Sequence, residues 1–152
     1  MDIQSLNTRI AAAFPAEPTP ARDQVLYHGA YPGESELEEI KEFFACRPWS
    51  SITPKDIFDF RHALSFFSPS TLAYYTAAWM TCSLQDERRV DTAIEDLAGA
   101  LGGADPGLWT QEQRSVICEW LLHFRRVPLK AVFEKAVANL GCRGWDPGSG
   151  QP

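Results

Sequence analysis

From Ala63 to Gln85 the chain has no Asp, Glu, Lys or Arg. A helix without charge on any side is either an interior helix or a membrane span. A span needs roughly 20 unbroken apolar residues. The stretch after Pro69 is shorter than that and carries Ser70, Thr71, Thr76, Thr81 and Ser83. It is therefore read as the central helix of a globular protein, over residues 69–84. Basic charge is also scarce, with 14 Lys and Arg against 20 Asp and Glu and a net charge of −6. That balance opposes nucleic-acid binding, which relies on cations to neutralise phosphates. The four cysteines, Cys46, Cys82, Cys118 and Cys142, form no C-x-x-C pair, so the spacing predicts buried thiols, with neither a disulfide framework nor a zinc site. No basic segment followed by a long apolar core opens the chain, and a cytoplasmic location with no membrane contact is the expectation.

Catalytic signatures are missing as well. GALGGADPG lacks the G-K-[ST] ending of a phosphate loop, and no H-E-x-x-H or E-x-x-H pair offers metal ligands. Cys118 and His123 lie five apart, on different faces of one helix, which separates a nucleophile from its base. No cofactor is implied.

What is present is helical periodicity. Ile3, Leu6, Ile10 and Phe14 share a face that Pro15 ends. Pro15, Pro18 and Pro20 then impose an extended connector, followed by a loop with a short strand-like piece at Val25–Tyr27. A second helix begins near Gly33–Ser35, with Leu37, Ile40, Phe43 and Phe44 turned inward, and Trp49 covers the core edge beyond it. Thr53-Pro54 is a cap followed by proline, a start signal. The third helix carries Ile57, Phe60, Leu64 and Phe67. Ser68-Pro69 repeats the device and forces a corner into the central helix. Asp86 is the expected cap of a fifth helix bearing Val90, Ile94, Leu97 and Leu101, ended by Gly102-Gly103. Thr110-x-x-Gln113 is a capping box for a sixth, with Val116, Ile117, Trp120, Leu121 and Phe124. Pro128 interrupts, and a last helix runs from Leu129 to Leu140, closed by Gly141. The sum is an all-α fold: one compact domain over residues 1–141, six to seven helices around the central one, and a flexible tail at 142–152.

Two sets of residues are candidates for function. Asp56, Asp59 and His62, three apart, would share one side of the third helix and make a metal or acid–base cluster; the plainer reading is a solvated face with local ion pairs. Tyr27, His28 and Tyr31 stand in an irregular loop beside Glu34, Glu36, Glu38, Glu39 and Glu42. Loops on rigid scaffolds carry function, and tyrosine is favoured as an interface anchor.

Phe14, Trp49, the string Arg61-x-x-Leu64-Ser65-Phe66-x-Ser68-Pro69-x-x-Leu72-x-Tyr74-Tyr75, and Gln113 together resemble a family of small bacterial proteins of unknown function, over roughly residues 5–125. The resemblance brings no catalytic residues with it. In size, helix content and acidity the chain also looks like the immunity proteins that neutralise bacterial toxins. The expectation is accordingly a non-enzymatic binding protein that occludes a toxin with a basic surface. The competing readings are a small enzyme or metal-binding protein using Asp56, Asp59 and His62, and a scaffold subunit of a cytoplasmic complex.

Overall fold

The computed structural model describes residues 2–27, 34–124 and 130–142. Among these residues there are seven α-helices: α1 (Ile3–Ala13), α2 (Ser35–Phe44), α3 (Pro54–Asp59), α4 (Pro69–Gln85), α5 (Asp91–Gly103), α6 (Gln111–His123) and α7 (Lys130–Leu140). No strand occurs among them; an isolated antiparallel bridge joins Leu26 to Phe67. The expected all-α domain is the observed one.

The uncharged segment is α4, and it is the hub. Tyr75, Ala77, Ala78, Trp79, Met80 and Cys82 are buried, and α1, α3, α5 and two short 3-10 turns pack against it. Its few polar residues are what the surrounding elements fasten to. Thr76 Oγ1 accepts the indole N–H of Trp109 at 3.3 Å, and Ser83 Oγ accepts that of Trp120 at 2.8 Å. Each hydroxyl in turn donates to a carbonyl within α4, those of Leu72 and Met80. Two large side chains are thus buried with their N–H groups satisfied. Tyr75 works outward in the same way: its hydroxyl donates between the carbonyls of Phe44 and Arg47, at 2.5 and 2.6 Å. Burial raises the Tyr75 phenol, which stays protonated as a donor. Tyr74 donates to the Ala16 carbonyl and accepts from the Trp49 amide, while the Trp49 indole donates to the Phe14 carbonyl. Trp49 is buried at the core edge, as its position after α2 implied.

Three helix starts, those of α3, α4 and α6, fall where the caps predict. Thr53 with Asp56 and Thr110 with Gln113 form capping boxes, Ser68 accepts from the Thr71 amide, and Gly141 takes φ +66° after α7. Three expectations fail. The third helix does not run on to Phe67: α3 stops at Asp59, Phe60 adopts φ −114°, ψ 35°, and a 3-10 turn occupies Ala63–Ser65. Tertiary bonds then hold the end of the segment: the Tyr27 amide bonds the Phe66 carbonyl and the Ser68 amide bonds the Val25 carbonyl, and the chain is extended at Ser68. Nor does Asp86 cap α5. It ends α4 and accepts from the Arg89 amide in a turn, and α5 starts at Asp91 behind Val90.

The third failure is the cysteine reading. Cys118 of α6 and Cys142, just beyond α7, form a disulfide. Cys46 is a free, exposed thiol and Cys82 a free, buried one, pushed up to about 12 by burial. Spacing could not disclose a pair that meets only once α7 folds back on α6. Cys142 is therefore fixed to the domain, and the remainder of the predicted tail, 143–152, lies outside the described residues, as do Pro128 and Leu129.

α5 and α7 are the most closely packed pair. Gly102 permits this: a Cβ there would meet Lys135 Cγ at 3.2 Å and the Ala136 nitrogen at 3.4 Å. Asn139 of α7 then donates to the Leu101 and Ala104 carbonyls, both at 2.7 Å. Those are end groups that a helix cannot satisfy internally.

Candidate functional site

Two concave regions lie on either side of the turn at Phe60–His62. The smaller is a shallow depression of about 490 Å³ rimmed by Glu38, Glu39 and Glu42 of α2, with Phe43 and Phe60 as its floor. The two rings stack with centroids 4.5 Å apart and 24° between planes. Both also contact buried Phe44 edge-on, so the floor is continuous with the aromatic core of Phe67, Tyr75 and Trp79. Arg47 lies 4.1 Å over the Phe43 ring and donates to the Phe43 carbonyl. The periodicity of α2 assigned Phe43 to the core. It is half-buried because its partner Phe60 belongs to the segment where α3 unwinds.

The glutamates expected at the partner surface divide into two groups. Glu38 and Glu42 pair with Arg22, which stands on the 3-10 turn after the proline connector. Glu34, Glu36 and Glu39 are exposed, and among the described residues Glu39 has no ion-pair partner. Of the loop aromatics, Tyr27 is 40% exposed, with its amide tied to Phe66. His28 and Tyr31 lie outside the described residues.

The larger region is a groove of about 840 Å³ between the Ala63–Pro69 corner, the face of α5 and Val132 of α7. Leu64, Phe67, Leu72 and Leu108 give it an apolar floor, and Arg61, His62, Glu95, Asp96 and Asp105 stand around it. Burial and the neighbouring Glu95 raise the Asp96 carboxyl, while His62 and Arg61 act against that rise. Gly99 and Gly103 face this space, and a Cβ on either would touch nothing within 4 Å. These glycines, unlike Gly102, serve no packing inside the molecule. Gly99→Ala is therefore expected to stabilise the protein by about 0.5–1 kcal/mol through helix propensity and loss of unfolded-state freedom. A urea titration checks this, and a lower midpoint would show that the glycine is needed for the fold.

The structure does not bring Asp56, Asp59 and His62 together. The Asp56 carboxylate accepts from the Thr53 amide in its capping box, and Asp59 pairs with Lys55. His62 leaves the helical register after Phe60 and joins the groove with Asp96. Among the described residues no group of three His, Cys, Asp or Glu is placed to hold a metal ion. No described helix is long and apolar enough to cross a membrane. Sequence reasoning missed both concave regions because each draws on elements far apart in the chain. The one available signal was the Arg61–Leu72 string, whose Arg61, Leu64, Ser65, Pro69 and Leu72 line the groove.

Comparison with protein-family models, with characterised proteins and with solved structures finds no match to this chain. The depression and the groove are therefore read from their own chemistry.

Proposed function

We propose that the protein is a non-enzymatic binding module that captures a basic protein partner on the α2 face, in the manner of an immunity protein occluding a toxin. One observation carries the reading: a stacked, half-buried Phe43–Phe60 pair lies beneath three carboxylates, in a chain whose net charge is −6. A partner's Lys or Arg would lay its methylene stem along the Phe60 ring, beside Arg47 on Phe43, and its charge among Glu38, Glu39 and Glu42. Stacking Phe43 against Phe60 and the core keeps the floor rigid, so little ordering cost is added on binding. Arg22 holds Glu38 and Glu42 in place until a partner's cation replaces it. Surface pairs of this kind are worth only about 0–1 kcal/mol, so the exchange is easily made. Tyr27, 40% exposed, is a further aromatic anchor in this proposal, and kinship with the small bacterial family belongs to it too.

The test uses the protein that co-purifies with this chain from its own cell, or the product of the adjoining open reading frame. Replacing Glu38, Glu39 and Glu42 by Lys is expected to slow association at least about tenfold and to flatten its salt dependence, because long-range attraction governs encounter. Phe60→Ala should act instead on dissociation. Unchanged rates and salt slopes in the triple variant would remove this face from the interface.

A further inference from the structure

The groove on the far side of the Phe60–His62 turn has no part in that reading. Its volume of about 840 Å³ falls within the roughly 300–1,000 Å³ typical of small-molecule sites. It is walled by three separate parts of the fold, which makes it a pocket and not a trough for a long helix. Leu108 and Val132 are half-buried on its walls, and Leu64, Phe67 and Leu72, over nine-tenths buried, form its base. A concave apolar base with a few polar groups around it is what small-molecule sites offer.

The polar groups set the sign of the ligand. Glu95, Asp96 and Asp105 bring three carboxylates, against one guanidinium and the His62 imidazole; Asp105 also accepts from the Gly107 amide, which leaves Glu95 and Asp96 to face a ligand. That guanidinium, of Arg61, is already engaged: it donates to the Phe58 carbonyl at 3.3 Å and lies 5.3 Å over the Phe58 ring. Gly99, inside α5, costs helix stability of up to about 1 kcal/mol relative to alanine. Internal packing does not explain it, and with Gly103 at the helix end it leaves the groove open beside Glu95 and Asp96.

We propose that this groove binds a small amphipathic organic cation, an amine carried on an apolar body. The apolar part lies over Leu64, Leu72 and the bare backbone at Gly99 and Gly103, and the ammonium is set against Glu95 and Asp96. No covalent step is involved. The site is distinct from the α2 face, so either assignment stands or falls without the other.

The probes are 4-phenylbutylamine, 4-phenylbutyrate and 4-phenylbutan-1-ol, which share one apolar body and differ in charge. Calorimetry on the full chain should show saturable one-site binding of the amine, at least about tenfold tighter than the acid. Methyl shifts in the NMR spectrum of the unaltered protein should fall on Leu64, Leu72 and Val132. Gly99→Leu, which fills the groove without meeting another atom at its Cβ, should abolish amine binding. The double variant Glu95→Gln, Asp96→Asn should weaken the amine about tenfold while leaving the alcohol unchanged. Absence of amine binding at millimolar concentration would overturn the assignment, as would the acid binding as tightly, shifts confined to other residues, or full binding by Gly99→Leu.

Discussion

Trp79→Ala is expected to cost about 3–5 kcal/mol, the range for deleting a large aromatic from a core that closes only partly over the cavity. The residue is 1% exposed near the middle of α4. It packs edge-on against Phe67 with centroids 5.8 Å apart and lies 6.1 Å from Phe44. Those rings also hold Tyr75, so the cavity would open among residues that anchor α2 and the Arg47 turn. Trp79→Phe should behave differently. The indole Nε1 of Trp79 is buried without a hydrogen-bond partner among the described residues. Removing an unsatisfied buried donor returns about 1–3 kcal/mol, which offsets much of the lost contact area. The expected net loss is about 1 kcal/mol or less. Trp120→Phe is the control, because the Trp120 indole donates to Ser83 at 2.8 Å and its loss leaves a buried hydroxyl short of a partner. Urea midpoints for the three variants should rank Trp79→Phe nearest the parent and Trp79→Ala furthest. If Trp79→Ala stayed within about 1 kcal/mol of the parent, α4 would not be the packed centre described here.

That centre was legible because its evidence is local. The uncharged run is contiguous in the chain, and two Ser/Thr-Pro starts, a Thr-x-x-Gln box and a closing glycine each act within one turn of helix; all hold in the structure. Local evidence failed where distant chain intervenes. Phe60, Leu64 and Phe67 have helical spacing, yet the amide and carbonyl groups of Tyr27 and Val25 bind Phe66 and Ser68, and the backbone leaves the α-helix at Phe60 for a turn and a 3-10 helix. The same event exposes Phe60 for stacking on Phe43 and sends His62 to the groove. The acidic helix was foreseen, whereas its aromatic floor was not. The serines and threonines of α4 weighed only as marks against a membrane span, although Thr76 and Ser83 are the acceptors around which two tryptophans are buried. Composition gives the identity of such groups, and only the arrangement of the other helices gives them a task.

The second large effect concerns Cys118–Cys142. Opening this bridge, by a reductant or by Cys118→Ser, is expected to lower stability by about 3 kcal/mol, from the chain entropy regained by an unfolded loop of this length. The cysteines are 24 residues apart and enclose the whole of α7. Both are half-buried, so a small reductant can reach them. Other contacts keep α7 in place after reduction: Phe133, Ala136, Val137 and Leu140 are buried, Phe133 stacks on Trp120, and Asn139 holds the end of α5. The reduced protein should therefore remain folded but melt about 6–12 °C lower. Amide exchange should rise in α7 and at the end of α5, with α1 and α4 little changed. Cys118→Ser, Cys142→Ser and the reduced parent should give one common urea midpoint. Thiol titration of the unfolded, unreduced chain should find Cys46 and Cys82 alone; four reactive thiols, or an unchanged midpoint after reduction, would count against the bridge. The result also bears on compartment, since such bridges persist in oxidising surroundings and are rare in a reducing cytosol. A cytoplasmic copy would then carry the lower stability as its working value, and the α5–α7 wall of the groove would be the part of the fold that loosens first.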